Sequence, residues 1–183
     1  EDAMRKIGST GKPALHCGVK LVDGEVWVRG PNVMRAYWND PAATAAVLTP
    51  EGWFRTGDLA RIDDEGFYWI VGRSKDVIIS GGENVSSIEV EDALFSHPDV
   101  TEVAVIGVPD EKWGELVLAL AVKTPGSQLT EEDLIAYCRT KIATYKCPKK
   151  VEFRAELART ATGKLQKFKL RAPYWDGYTK QVN

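Results

Sequence analysis

Long apolar runs are missing from this chain. Nowhere do about 18 apolar residues follow one another, which excludes a membrane-spanning helix. No basic start with an apolar stretch behind it opens the sequence, so no secretory signal is read there. Cysteine is scarce and unpatterned: Cys17, Cys138 and Cys147 are odd in number and none stands in CxxC spacing. Zinc and a disulfide framework are therefore not expected, whereas reduced thiols in a cytoplasmic setting are. Neither His16 nor His97 has a serine, cysteine or carboxylate in catalytic spacing, and Pro98 marks His97 as a helix end, so a hydrolase triad is not expected. The phosphate-loop pattern GxxxxGKS or GxxxxGKT and the dinucleotide pattern GxGxxG are both absent.

What remains is the composition of a folded protein, 44% hydrophobic and 27% charged over 183 residues. That length holds one large or two small domains with a real core. The chain starts on Glu1-Asp2-Ala3-Met4 and reads as a piece of something longer. Net charge is only −2, yet 11 of the 24 Lys and Arg fall between Arg139 and Arg171, where Glu152 and Glu156 alone oppose them. Such a patch could serve nucleic acid, an anionic cofactor, or solvation alone. It lacks interleaved aromatic platforms and any recognised helix or finger signature, so nucleic acid is the weaker reading. A phosphate-rich small ligand stays open.

Local patterns predict an α+β protein in two parts. Val19–Val22 and Glu25–Arg29 flank Asp23-Gly24, a two-residue hairpin signal. Asn39 or Asp40 caps a short helix that has Pro41 in its first turn and runs to Val47. Phe54–Ile62 and Phe67–Val71 form a second hairpin around Asp63–Gly66, making residues 1–72 mostly antiparallel β. After Gly72 the pattern changes to a small sheet with flanking helices, residues 73–183. A strand Val77–Ser80 is broken by Gly81-Gly82, and Ser86 with Glu89 gives a capping box for a helix to about Ser96. Strands follow at Val100–Val108 and Leu116–Val122, then a helix from Thr130 to about Ile142. A strand at Val151–Phe153 and a terminal helix at Leu165–Leu170 complete the reading.

Three polar and glycine-rich segments offer chemistry. Asp58, in Arg55-Thr56-Gly57-Asp58, has acceptor oxygens for both hydroxyls of a ribose, although a turn aspartate explains TGD as well. Arg73 can fork onto a ribose or phosphate. Lys75 sits where backbone torsions would change if the two parts rotate, and the plain alternative is a charged surface turn. Gly81-Gly82, followed by Glu83, strips two β-carbons from a strand end, so a thin ligand arm could lie against the backbone; an ordinary glycine turn competes. Lys164, after Gly163, places an ammonium on a loop, as one solvated lysine among many or as a cation for a reacting carboxylate and phosphate.

In order and spacing these segments resemble the C-terminal part of the adenylate-forming superfamily, which includes acyl-CoA synthetases, peptide-synthetase adenylation domains and beetle luciferases. The resemblance covers nearly the whole chain, through Val28-Arg29-Gly30-Pro31, Tyr37-Trp38, Gly52 to Asp58, Ile70 to Asn84, Val108-Pro109-Asp110, Trp113-Gly114-Glu115, Tyr145-Lys146 and Thr160 to Lys164. Ile78 to Asn84 is most similar to fatty-acid and related acyl-CoA ligases. The resemblance implies a two-step reaction: carboxylate and ATP give an acyl-adenylate and pyrophosphate, then CoA displaces AMP. By position it assigns Asp58 to the ribose hydroxyls, Arg73 to the ribose or phosphate, and Lys75 to a hinge around residues 73–76. It assigns Gly81, Gly82 and Glu83 to the CoA path and Lys164 to catalysis between carboxylate and α-phosphate. Residues 1–72 would close the large N-terminal domain and 73–183 would be its C-terminal lid.

The implied small molecules are a carboxylic acid of fatty-acid type, ATP, Mg2+ and CoA, with no nucleic acid. The missing N-terminal domain would be the protein partner, and a homodimer is left open. The phosphate loop and acyl pocket belong to that missing domain, so the chain alone is expected to be catalytically incomplete. Two departures, Ala158 in place of a common Pro and Ser86-Ser87 in place of a common Tyr-Pro, alter stiffness more than chemistry. A stand-alone nucleotide, CoA or nucleic-acid module using the 139–171 patch, and a domain that loads a carrier protein, stay as alternatives.

Overall fold

The computed structural model describes residues 5–178. They divide between Ser74 and Lys75 into two compact units, each with its own sheet. In the first unit, β1 (Gly18–Val22), β2 (Glu25–Arg29), β3 (Phe54–Ile62) and β4 (Tyr68–Arg73) form an antiparallel sheet in chain order. Asp23 and Gly24 both take positive φ, 50° and 82°, as a type I′ hairpin turn requires. The helix α1 (Pro41–Val47) is capped by Asp40, whose Oδ1 accepts from the Ala43 amide at 2.8 Å. Buried apolar side chains here are few, Val26, Ala60 and Phe67. Half-buried Trp53 instead lies beneath Lys20 and Arg29, 4.3 and 4.7 Å from its ring.

The second unit is β5 (Val77–Ser80), β6 (Glu83–Ser86), α2 (Ser87–Phe95), β7 (Val100–Asp110), β8 (Gly114–Lys123), α3 (Glu131–Arg139), β9 (Lys150–Phe153) and α4 (Lys167–Trp175). Its sheet runs β6-β5-β8-β7, with β9 parallel to β8. Alternation along the β7–β8 hairpin builds two cores. Val103, Val105, Val117, Ala119 and Ala121 face Val90, Leu94, Leu134 and Cys138 of α2 and α3. Ala104, Ile106, Val108, Leu118 and Leu120 face Leu157, with Leu165, Leu170 and Tyr174 packed against them. Fully buried Leu94, Leu118, Leu120 and Leu134 each contribute about 1.5–3 kcal/mol by leaving water.

Several local expectations are corrected. Gly81-Gly82 does more than end β5: with φ of 62° and 85° it turns the chain back, and Ser80 pairs with Glu83 to start β6. Ser86 Oγ accepts from the Glu89 amide at 3.4 Å, but the Glu89 carboxylate holds Lys146 Nζ through both oxygens at 2.7 Å. Thr130 and Asp133, by contrast, complete a capping box for α3, which ends at Arg139 rather than near Ile142. The terminal helix begins two residues late, because Leu165 bridges back to Arg159, and it runs through Pro173 to Trp175. Tertiary anchors outweigh the lost helix bond at proline: Tyr174 donates to Glu152 at 2.6 Å and Trp175 Nε1 to the Gly107 carbonyl at 3.0 Å. Cys138 and Cys147 meet in the core, where burial and the neighbouring thiol push Cys138 up to about 12.

Candidate functional site

In the first unit the structure brings Asp58 and Arg73 together. Between the pairs Trp27↔Arg55 and Glu25↔Leu59, β3 carries extra residues, so Thr56-Gly57-Asp58 bulges out of the β2 ladder. Gly57 supplies the positive φ, 73°. The Gly57 amide donates to Glu25 Oε1 at 2.8 Å, and Thr56 Oγ1 donates to the Val26 carbonyl at 2.8 Å while accepting from the Asp58 amide at 3.0 Å. The bulge sets Asp58 opposite Arg73 across β3–β4, and Arg73 Nε donates to Asp58 Oδ1 at 2.8 Å. Both side chains are exposed or half-exposed, so lone pairs on the carboxylate stay accessible to a ligand, a carboxylate offering about four acceptor sites.

Lys164 lies in the second unit, exposed, on a loop closed by its own bonds. The Thr160 amide donates to the Lys164 carbonyl at 2.8 Å, the Gly163 amide to the Thr160 carbonyl at 2.9 Å, and the Lys164 amide to Thr160 Oγ1 at 3.0 Å. Lys164 has no ion-pair partner among the described residues. Arg159, just before the loop, pairs with Glu102 near the start of β7 at 2.6 Å.

Gly81, Gly82 and Glu83 lie at the other end of the same sheet. Ser80 pairs with Gly114, which itself faces Asp110 at the end of β7. From Glu102 to Asp110 the strand spans roughly 27 Å at about 3.4 Å per residue. The Gly81 amide donates to the Trp113 carbonyl at 2.8 Å, and a Cβ on Gly81 would lie 2.8 Å from the indole, so only glycine fits. At Gly82 a Cβ would meet open space. The ammoniums of Lys112 and Lys149 sit 4.9 and 5.3 Å from the Trp113 ring. Behind the turn, Glu115 is buried and its Oε2 accepts from the Ile79 amide at 2.9 Å; burial raises its pKa.

Lys75 is exposed in a single 3-10 turn, Ser74–Asp76, at the start of the second unit. It borders a cleft of about 490 Å3 with Gly107, Lys167, Arg171 and Trp175. At the back of this cleft Glu91 accepts from the Val105 amide and from Lys167, both at 2.7 Å, which blunts the exposed edge of β7.

The basic stretch is far less free than its sequence implies. Lys146, Lys150, Arg154, Arg159, Lys167 and Arg171 are each paired, to Glu89, Glu152, Glu102, Glu91 or Glu115. Four of those acids come from earlier in the chain, so the fold partly neutralises a stretch that its own two glutamates leave strongly basic. Sequence reasoning missed Glu102, Glu115 and Lys149 as parts of the two ends. Trp113-Gly114-Glu115 was the signal that could have found Glu115.

Comparison with known proteins places the chain in a family. Residues 89–164 match the family described as AMP-binding enzyme C-terminal domain. Indoleacetate–CoA ligase of Aromatoleum aromaticum is 49% identical over 181 residues, 93% of this chain and 35% of that protein. A long-chain-fatty-acid–CoA ligase of Mycobacterium tuberculosis is 44% identical over 184 residues, 95% of this chain and 36% of its own length. The crystal structure of ATP-bound MatB from Rhodopseudomonas palustris superposes with a TM-score of 0.86 at 36% identity, covering 94% of this chain and 37% of that one. The chain thus spans little more than a third of the relatives it matches. Residues 89–164 are an AMP-binding enzyme C-terminal domain, and the chain is homologous to the C-terminal part of adenylate-forming acyl-CoA ligases.

Proposed function

We propose that this chain is the C-terminal part of an ATP-dependent acid–CoA ligase that makes an acyl-adenylate and then a CoA thioester. One observation carries the reading furthest: a single compact unit bears an exposed ammonium at one end of β7 and a side-chain-free turn at the other. The ammonium suits adenylation. At about 4 Å from a reacting carboxylate and phosphate, Lys164 would contribute on the order of 4 kcal/mol at intermediate effective dielectric. The turn suits thioester formation, since Gly81-Gly82 lets a thin pantetheine arm pass and Lys112 and Lys149, with Trp113, favour phosphates. Asp58 takes the ribose hydroxyls, Arg73 steadies that carboxylate and reaches the phosphate side, and Lys75 is the pivot between half-reactions.

Magnesium would accompany the phosphates of ATP. Residues 1–72, with a hinge at 73–76, would close a larger N-terminal domain that supplies the acyl pocket. The acid itself is open between aryl and fatty types, since the two named relatives are an indoleacetate ligase and a long-chain-fatty-acid ligase.

The test is Lys164→Ala in the full-length ligase. Carboxylate-dependent exchange of pyrophosphate into ATP should collapse, while CoA-dependent consumption of a supplied acyl-adenylate largely survives. Exchange at the wild-type rate would remove Lys164 from its role.

A further inference from the structure

The bonds inside the Thr160–Lys164 loop close it on itself but do not fix where it points. Arg159 does that. Its Nη1 donates to the Gly163 carbonyl at 2.7 Å, one residue before Lys164, while Nε and Nη2 donate to Glu102 Oε2 at 3.0 and 2.6 Å. Glu102 is itself fixed, in register with Val122 on β8. One planar guanidinium therefore spans from the sheet to the peptide that carries Lys164. Leu165 anchors the loop exit from the other side, packed against the Leu118 and Leu120 face.

We propose that Arg159, clamped by Glu102, is the positioning residue of Lys164. It sets the height and direction of the loop, so that the ammonium meets the acyl-phosphate centre without searching for it. The proposal rests on the reading of Lys164 as the adenylation cation. Half-exposed pairs such as Glu102–Arg159 contribute little to stability, so a large effect of breaking this one on chemistry alone would mark positioning. The fork is essential: a lysine could reach Glu102 but could not also donate to the Gly163 carbonyl in the same plane.

The test measures both half-reactions of the full-length ligase in Arg159→Lys, Glu102→Gln and Lys164→Ala. For Arg159→Lys, kcat of pyrophosphate exchange should fall about 10- to 100-fold with KM for ATP and acid nearly unchanged, and CoA-dependent consumption of supplied acyl-adenylate should keep its rate. Glu102→Gln keeps an acceptor and should lose several times less. In the 183-residue chain, amide hydrogen exchange at Gly163 and Lys164 should quicken about tenfold or more in Arg159→Lys, with Val105, Leu118 and Leu120 unaltered.

If Lys164→Ala leaves pyrophosphate exchange intact, the reading of Lys164 fails and the proposal falls with it. If Lys164→Ala collapses exchange but Arg159→Lys matches the wild type, the proposal alone is overturned. It is overturned equally if Arg159→Lys slows both half-reactions alike, raises KM only, or leaves the Gly163 and Lys164 amides as protected as before.

Discussion

The two ends of β7 solve opposite problems with the same kind of support. At the Glu102 end a cation is presented on an exposed loop, and a carboxylate on the sheet holds that loop through Arg159. At the Asp110 end the backbone itself is presented, bare at Gly81-Gly82 with Lys112 and Lys149 nearby on Trp113, and a buried carboxylate, Glu115, holds the strand that leads to it. The difference teaches where evolvable chemistry sits. Charge can be delivered on a loop because one ammonium tolerates solvent, whereas an unobstructed backbone must be built into a turn whose φ values only glycine accepts readily.

Breaking the first end should have the largest effect. Lys164→Ala is expected to slow adenylation by about 10^2- to 10^3-fold, as when a charge stabiliser is removed from a transition state; pyrophosphate exchange would measure it. Asp58→Asn tests the ribose contact proposed for that carboxylate, and should weaken nucleotide binding about 10- to 100-fold, the worth of a hydrogen bond to a charged group. Titration with AMP would read this, and unchanged AMP binding would remove Asp58 from that role.

Gly81→Ala attacks the second end. Its Cβ would press on Trp113 at 2.8 Å in a left-handed backbone, a strain of about 1–3 kcal/mol. CoA-dependent consumption of supplied adenylate should slow about tenfold while pyrophosphate exchange persists. Equal loss in both would mean that the turn serves folding instead.

The smallest effect is on pH. Burial holds the Glu115 carboxyl above its ordinary value of 4.5. Its contribution to stability is therefore present below 4.5 and is lost as pH rises through the folded-state value, because the unfolded chain releases that proton first. Glu115→Gln should flatten this fall in denaturation midpoint across that window. Glu91, raised for the same reason, keeps part of the slope. Glu65 works in the opposite sense: Arg5 and Lys6 hold it down to about 2, so what it contributes appears above its ordinary value and fades on acidification.

Much of this was legible because its causes are local. Asp23-Gly24, Asp40 before Pro41 and Thr130 before Asp133 act within a few residues. The order of the TGD, GG and GK segments also identified the family, although each alone is weak. The pairing of Asp58 with Arg73 needed the bulge at Thr56-Gly57, which alternation does not announce. How many charges of the basic stretch are paired was not legible, because Glu89, Glu91, Glu102 and Glu115 lie outside it in sequence and reach it only through the fold. The last helix outran its expected end because Tyr174 and Trp175 are tied to Glu152 and Gly107, contacts across 22 and 68 positions.

The thiols carry a practical consequence. Cys138 and Cys147 are sealed in the interior, and Cys138, at about 12, stays protonated at neutral pH. Cys17 is the partly accessible thiol, in the first unit. A maleimide dye should therefore mark that unit alone, and a second cysteine added beyond Lys75 would let paired dyes test, in the full-length ligase, the pivot proposed at that residue.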